Sequence, residues 1–132
     1  MLGELIGESR GKRIVRRTLS SEPLKVEVTF EDAGTVLGVA YTGFGTYWSE
    51  VRPDGTVYGE GEGAYLTQDA EIVSWRATGL GRIKAGGAVS YRGMLYFRTA
   101  SQKLARLNTV GGAFEYEADA DGSTHAKTWE WK

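Results

Sequence analysis

The sequence predicts an all-β chain folded as a single antiparallel up-and-down β-barrel of about eight strands. Three observations predict it. Nineteen glycines and a rich set of aromatics stand against only two prolines, a balance that suits strongly curved sheets. Polar and apolar residues alternate with a period of two over much of the chain. Turn signals such as Pro53-Asp54-Gly55 and Asp119-Ala120-Asp121-Gly122 cut these alternating runs into consecutive hairpins.

The first strand is expected over 12–19, ending at Ser20-Ser21-Glu22-Pro23; its two faces, Ile14 with Arg16 and Val15 with Arg17, do not declare which is inside. Over 25–30 the alternation sets Val26, Val28 and Phe30 on one face. A turn is expected at Asp32-Ala33-Gly34, followed by one long bent strand over 36–51. Arg52-Pro53-Asp54-Gly55-Thr56 then reverses the chain, because proline presets the first bend angle and glycine accepts a positive φ. The returning strand, 56–67, carries Gly59, Gly61 and Gly63 on one face and Tyr58, Glu60, Glu62 and Ala64 on the other. So bare a face suits a sharp barrel bend or a bulky neighbour lying flat across the backbone.

Gln68-Asp69-Ala70 leads into 71–83, where Val73, Trp75 and Ala77 oppose Ile72, Ser74 and Arg76. Ala85-Gly86-Gly87 reverses the chain again. In 88–99 the apolar set Val89, Tyr91, Leu95 and Phe97 is the expected core face. The stretch 100–108, with Leu104 and Leu107 at helical spacing, reads as a connection holding at most one helical turn. A last hairpin pairs 112–119 with 123–131, Phe114 and Tyr116 facing away from Glu115 and Glu117. Consecutive hairpins of this kind hide their unpaired edges best by closing.

Composition narrows the chemistry. A length of 132 residues fits one domain, 1–132. The absence of cysteine excludes disulfides, thiolate metal sites and cysteine nucleophiles. His125 is the only histidine, a poor basis for a transition-metal site, so neither metal nor cofactor is expected. A formal charge of -1 gives no general attraction to nucleic acid or anionic membrane. The basic cluster Arg10, Lys12, Arg13, Arg16 and Arg17 reads as a charged, solvated edge. Its opening residues, Met1-Leu2-Gly3-Glu4, are too acidic for a signal peptide, and no apolar run approaches membrane-spanning length; the expectation is a cytoplasmic protein. Neither a Walker pattern nor a Gly-x-Ser-x-Gly elbow occurs.

The candidate site residues follow from the faces. Glu60 and Glu62 project to the same side, so both reach the lumen or both reach water; in the lumen each carboxylate would raise the other's pKa for acid–base work. Arg92, next to Gly93 in an aromatic strand, offers a planar fork for a carboxylate or carbonyl if it points inward, and is solvated if it does not. Tyr41, Tyr58, Trp75, Tyr91 and Tyr96, with further aromatics such as Tyr47, Tyr65 and Tyr116, line either a pocket or a packed core.

The PDG and ADG turns, the glycine-rich run Tyr58-Gly59-Glu60-Gly61-Glu62-Gly63 and the segment Tyr91-Arg92-Gly93-Met94-Leu95-Tyr96-Phe97 together give a layout that resembles the small barrels of the calycin and allene oxide cyclase type. The resemblance implies a lumen that takes a small apolar molecule, and in a few such barrels cyclisation or isomerisation of a folded ligand. It transfers no catalytic residue. Three functional readings follow: a barrel that binds a small apolar molecule; a cofactor-free cyclase or isomerase; and a filled barrel that works through its outer wall as a homo-oligomer or partner-binding module.

Overall fold

A computed structural model describes residues 2–132 and shows a closed barrel in which each strand pairs antiparallel with the next and the last returns to the first. The strands are β1 (Leu2–Ser21), β2 (Leu24–Val36), β3 (Val39–Val51), β4 (Thr56–Thr67), β5 (Ile72–Ile83), β6 (Val89–Thr99), β7 (Gly111–Ala118) and β8 (Ser123–Trp131). Closure is made by β1, whose first half pairs with β8 while most of its length pairs with β2. The predicted fold class is therefore the observed one.

Two tight turns share one chemistry. Asp54 Oδ1 accepts from the Thr56 amide at 2.9 Å and the Thr56 hydroxyl at 2.6 Å, and Gly55 takes a φ of 86°. Asp121 Oδ1 accepts from the Ser123 amide and hydroxyl at the same two distances, and Gly122 takes a φ of 93°. The Asp-Gly-Thr and Asp-Gly-Ser sequences thus close two hairpins by the same Asx-type contact.

Two expected boundaries are corrected. The first strand begins at Leu2, not near residue 12, and its pairing with β2 shifts register between Arg13 and Val15. That shift inverts which parity faces inward, so no single alternation runs through the strand. The turn expected at Asp32-Ala33-Gly34 lies instead at Leu37 and Gly38, both at positive φ, so β2 runs on to Val36 and the long strand expected over 36–51 begins at Val39. Gly34 is inside β2 because a Cβ there would stand 2.0 Å from the Glu8 carbonyl oxygen; the glycine serves close strand approach, not reversal.

One end of the barrel is plugged. The connection between β6 and β7 folds over it, and Leu104 and Leu107 are completely buried against Ile6, Val36, Val73 and Phe97. Polar ties hold this loop: Asn108 bonds both the amide and the carbonyl of Thr99 at 2.8 and 2.9 Å, Lys103 pairs with Asp69 at 2.7 Å, and Arg106 pairs with Glu130 and, at 3.6 Å, with Glu4. The expected helical turn is a 3-10 segment, Ala105–Thr109.

The bare face of β4 points inward. Trp75 lies across it, so a Cβ on Gly63 would meet the Trp75 ring at 2.6 Å and the Phe44 carbonyl oxygen at 2.3 Å. Gly63→Ala is expected to destabilise the protein by about 1–3 kcal/mol through overpacking. Thermal and denaturant unfolding check this, and an unchanged midpoint would mean that the indole has room to move.

Candidate ligand cavity

Inward residues on all eight strands enclose a cavity of about 100 Å³. Strand parity builds it. Phe30 and Asp32 come from β2, Tyr41 and Tyr47 from β3, Tyr65 from β4, Trp75 and Ala77 from β5, Tyr91 and Leu95 from β6, Phe114 and Tyr116 from β7, Thr128 from β8 and Ser9 from β1. The wall is almost wholly aromatic and aliphatic, and a few hydroxyls and one carboxyl break it.

The aromatic rings fix one another. Phe30 lies 5.7 Å from Tyr116, 6.0 Å from Tyr47 and 6.1 Å from Trp75, and Tyr47, Tyr91 and Tyr116 meet in pairs at 5.8–6.0 Å. Tyr41 and Tyr65 stack with centroids 3.9 Å apart and join the apolar plug. Such contacts give rigid walls, since each ring's rotation is blocked by the next.

Asp32 is the one carboxyl among these inward residues. Its Oδ1 is buried and has no hydrogen-bond partner among the described residues, and burial raises its pKa to about 6, with the Ser9 hydroxyl drawing it back only in part. Its charge also raises the pKa values of Tyr41 and Tyr65, whose phenols burial already holds firmly protonated. A second orphan, the Tyr116 hydroxyl, is buried on the same cavity without a hydrogen-bond partner among the described residues. Burial pushes its pKa up to about 12; the nearby Tyr47 phenol, which favours the ionised phenolate by donating to it, offsets part of the shift, and Asp32 adds to it. The Arg13 guanidinium acts in the opposite sense on Tyr47, Tyr91 and Tyr116, and donates to the Asp119 carbonyl at 3.2 Å.

The sequence-derived residues divide between the two sides of the wall. Tyr41, Trp75 and Tyr91 line the cavity. Glu60 and Glu62 project their carboxylates outward, since the glycines between and beside them must face in to clear Tyr47 and Trp75 and period two sends the carboxylates out; Glu60 still borders the cavity, and Glu62 does not. Outside, Glu60 accepts from the Tyr58 hydroxyl at 2.6 Å, and Glu62 lies 3.8 Å from Arg76. Tyr58 is accordingly an outer residue too, packed edge-on to Trp48 beneath Arg52. Arg92 alternates with inward Tyr91 and Gly93 and pairs with Glu115 on the outer wall, and Tyr96 is 62% exposed. His125 also falls on the outer parity of β8, between buried Thr124 and the cavity-lining Ala126.

Asp32 and Ser9 were not among the sequence candidates. The signal for Asp32 was present, because it continues the Val26, Val28, Phe30 parity; the neighbouring Ala33-Gly34 made it read as a turn residue.

No protein-family model matches the chain, and no curated protein matches it. Solved structures do share the fold. A protein with unknown function from Clostridium acetobutylicum superposes with a TM-score of 0.84 at 12% identity, covering 98% of each chain. A beta-barrel like protein from Acinetobacter baumannii gives 0.80 at 12% identity over 100% of this chain and 96% of its own. An enzyme from Penicillium herquei gives 0.69 at 16% identity over 96% of this chain and 92% of its own. At such identities the likeness is one of fold.

Proposed function

We propose that the barrel binds a small, mostly apolar molecule in its lumen and anchors it through a hydrogen-bond donor set on Asp32. One observation carries this reading: two buried polar atoms without hydrogen-bond partners among the described residues, Asp32 Oδ1 and Tyr116 Oη, border the same aromatic cavity. Buried polar groups are normally paired, and leaving one unpaired costs about 1–3 kcal/mol. A ligand that supplies a donor to Asp32 and meets the Tyr116 hydroxyl recovers that cost. The layout shared with calycin and allene oxide cyclase-type barrels points to the same kind of occupant. A filled barrel working through its outer wall leaves the buried carboxylate without any return.

Volume bounds the occupant. An engineered apolar cavity of about 150 Å³ takes benzene, so about 100 Å³ limits the occupant to a compact molecule of at most about six non-hydrogen atoms. Larger ligands require the plug or the aromatic rings to move.

Cyclopentanol, a hydroxyl on an apolar ring, is a suitable probe. Titration followed by amide NMR is expected to shift resonances of Asp32, Tyr41 and Tyr116, with Asp32→Ala weakening binding at least tenfold and Glu115→Gln, on the outer wall, leaving it unchanged. Shifts confined to the outer wall, or none at millimolar probe, would overturn the reading.

A further inference from the structure

We propose that the lumen is a proton-transfer site that moves the double bond of a small, neutral β,γ-unsaturated carbonyl compound into conjugation, Asp32 carrying the proton and Tyr116 holding the carbonyl oxygen. The inference rests on the lumen-binding reading above and adds a reaction to it.

The two orphan atoms have opposite hydrogen-bonding characters. An ionised carboxylate only accepts, and a phenol kept protonated by burial can donate. Asp32 and Tyr116 border one cavity and are near enough for the charge of the first to act on the second. Phe30, two residues from Asp32 on the same face of β2, has its ring centroid 5.7 Å from that of Tyr116, so both groups border the same aromatic cluster. A base and an oxygen-directed donor across an apolar gap are the two groups that enolisation needs.

The surroundings select the substrate. The cavity lining contains no lysine or arginine among the described residues, and its one inward carboxyl repels anions when ionised. Phosphates and carboxylates are therefore poor occupants, and a neutral carbonyl compound is a good one. The groups that face Asp32 from neighbouring strands are Ser9 on β1, Tyr41 on β3, Tyr65 on β4 and Tyr116 on β7, all hydroxyls. None of them competes for the proton near neutral pH.

The step balances within the substrate. The Asp32 carboxylate takes a proton from the carbon between the carbonyl and the double bond; that C–H bond breaks and an O–H bond forms on the carboxyl. The electron pair spreads through the diene to the carbonyl oxygen, which accepts from Tyr116. The carboxylic acid then returns the proton to the γ-carbon, giving the conjugated isomer and regenerating the carboxylate. No oxidant, reductant or water is consumed. A single carboxyl can serve both carbons because they lie on the same side of one planar dienolate.

Cyclopent-3-enone fits the volume, and its conversion to cyclopent-2-enone is followed by ultraviolet absorbance. The wild-type protein is expected to accelerate conversion with a rate that rises with pH through about 6. Asp32→Asn should lose at least about 100-fold and Tyr116→Phe about 100-fold, with Glu115→Gln, on the outer wall beside Arg92, unchanged. Binding of cyclopentanol, which supplies the donor that Asp32 lacks, is measured separately by amide NMR and distinguishes the two readings. Binding without conversion overturns the reaction and leaves the lumen-binding reading intact; an Asp32→Asn variant that retains the rate also overturns it. Neither binding nor conversion overturns both.

Discussion

Leu107→Ala is expected to destabilise the protein by about 2–5 kcal/mol, in the upper half of that range. The side chain is completely buried, in contact with the plug cluster that includes Leu104 and Phe97. The size of the loss depends on how far the surroundings collapse into the space left behind. Here they are restrained: the Asn108 bonds to Thr99 and the pairing of Arg106 with Glu130 pin the loop on both sides of Leu107, and the facing strands belong to a closed barrel. Most of the void therefore persists. It also extends the lumen toward the plug, so the variant should admit ligands larger than those the parent accepts. Urea unfolding measures the first effect and probe titration the second. Leu66→Ala, on the outer wall and 40% exposed, is the control and should stay within about 0.5 kcal/mol. A Leu107 loss that small would mean that the loop does not seal the core.

The barrel was legible because its signals are local. In β5 and β6 the alternation runs unbroken from Val73 to Ala77 and from Val89 to Phe97, and the two Asp-Gly turns carry their geometry in their own residues. The cavity was only half legible, for reasons that differ from residue to residue. Tyr41, Trp75 and Tyr91 stand on strands of clear parity. Glu60 and Glu62 share an equally clear parity, but alternation does not say which face is inside; only the rings of Trp75 and Tyr47, arriving from other strands, decide that. The plug escaped notice because Leu104 and Leu107, though at helical spacing, sit in a segment too short to reveal what they pack against. Asp32 was hidden by Gly34, whose close approach to β1 imitates a turn signal.

Asp32→Asn is expected to stabilise the unliganded protein and to abolish its proton chemistry, with a pH dependence that identifies the cause. Asp32 titrates at about 6 in the folded protein against an ordinary value of 3.8. Well below pH 3.8 the group is protonated in both folded and unfolded chains, and it makes no difference to stability. Between pH 4 and 6 the unfolded chain ionises freely while the folded one resists, so stability falls as pH rises; above 6 the loss is complete. A displacement of about two units corresponds to about 3 kcal/mol at most. Asparagine keeps the shape and removes the charge, so its advantage over the parent should grow from near zero well below pH 3.8 to about 2–3 kcal/mol at pH 7.5. Comparing the two chains isolates Asp32, because all other carboxylates are common to both. Denaturant unfolding at four or five pH values gives the curve. A difference independent of pH would show that Asp32 is well solvated or already paired, and the lumen would lose its claim to hold a working acid. If the curve has the expected shape, the parent chain keeps, on the lining of its aromatic cavity, a carboxyl that weakens it at neutral pH, and that trade between stability and activity is the mark of a functional site.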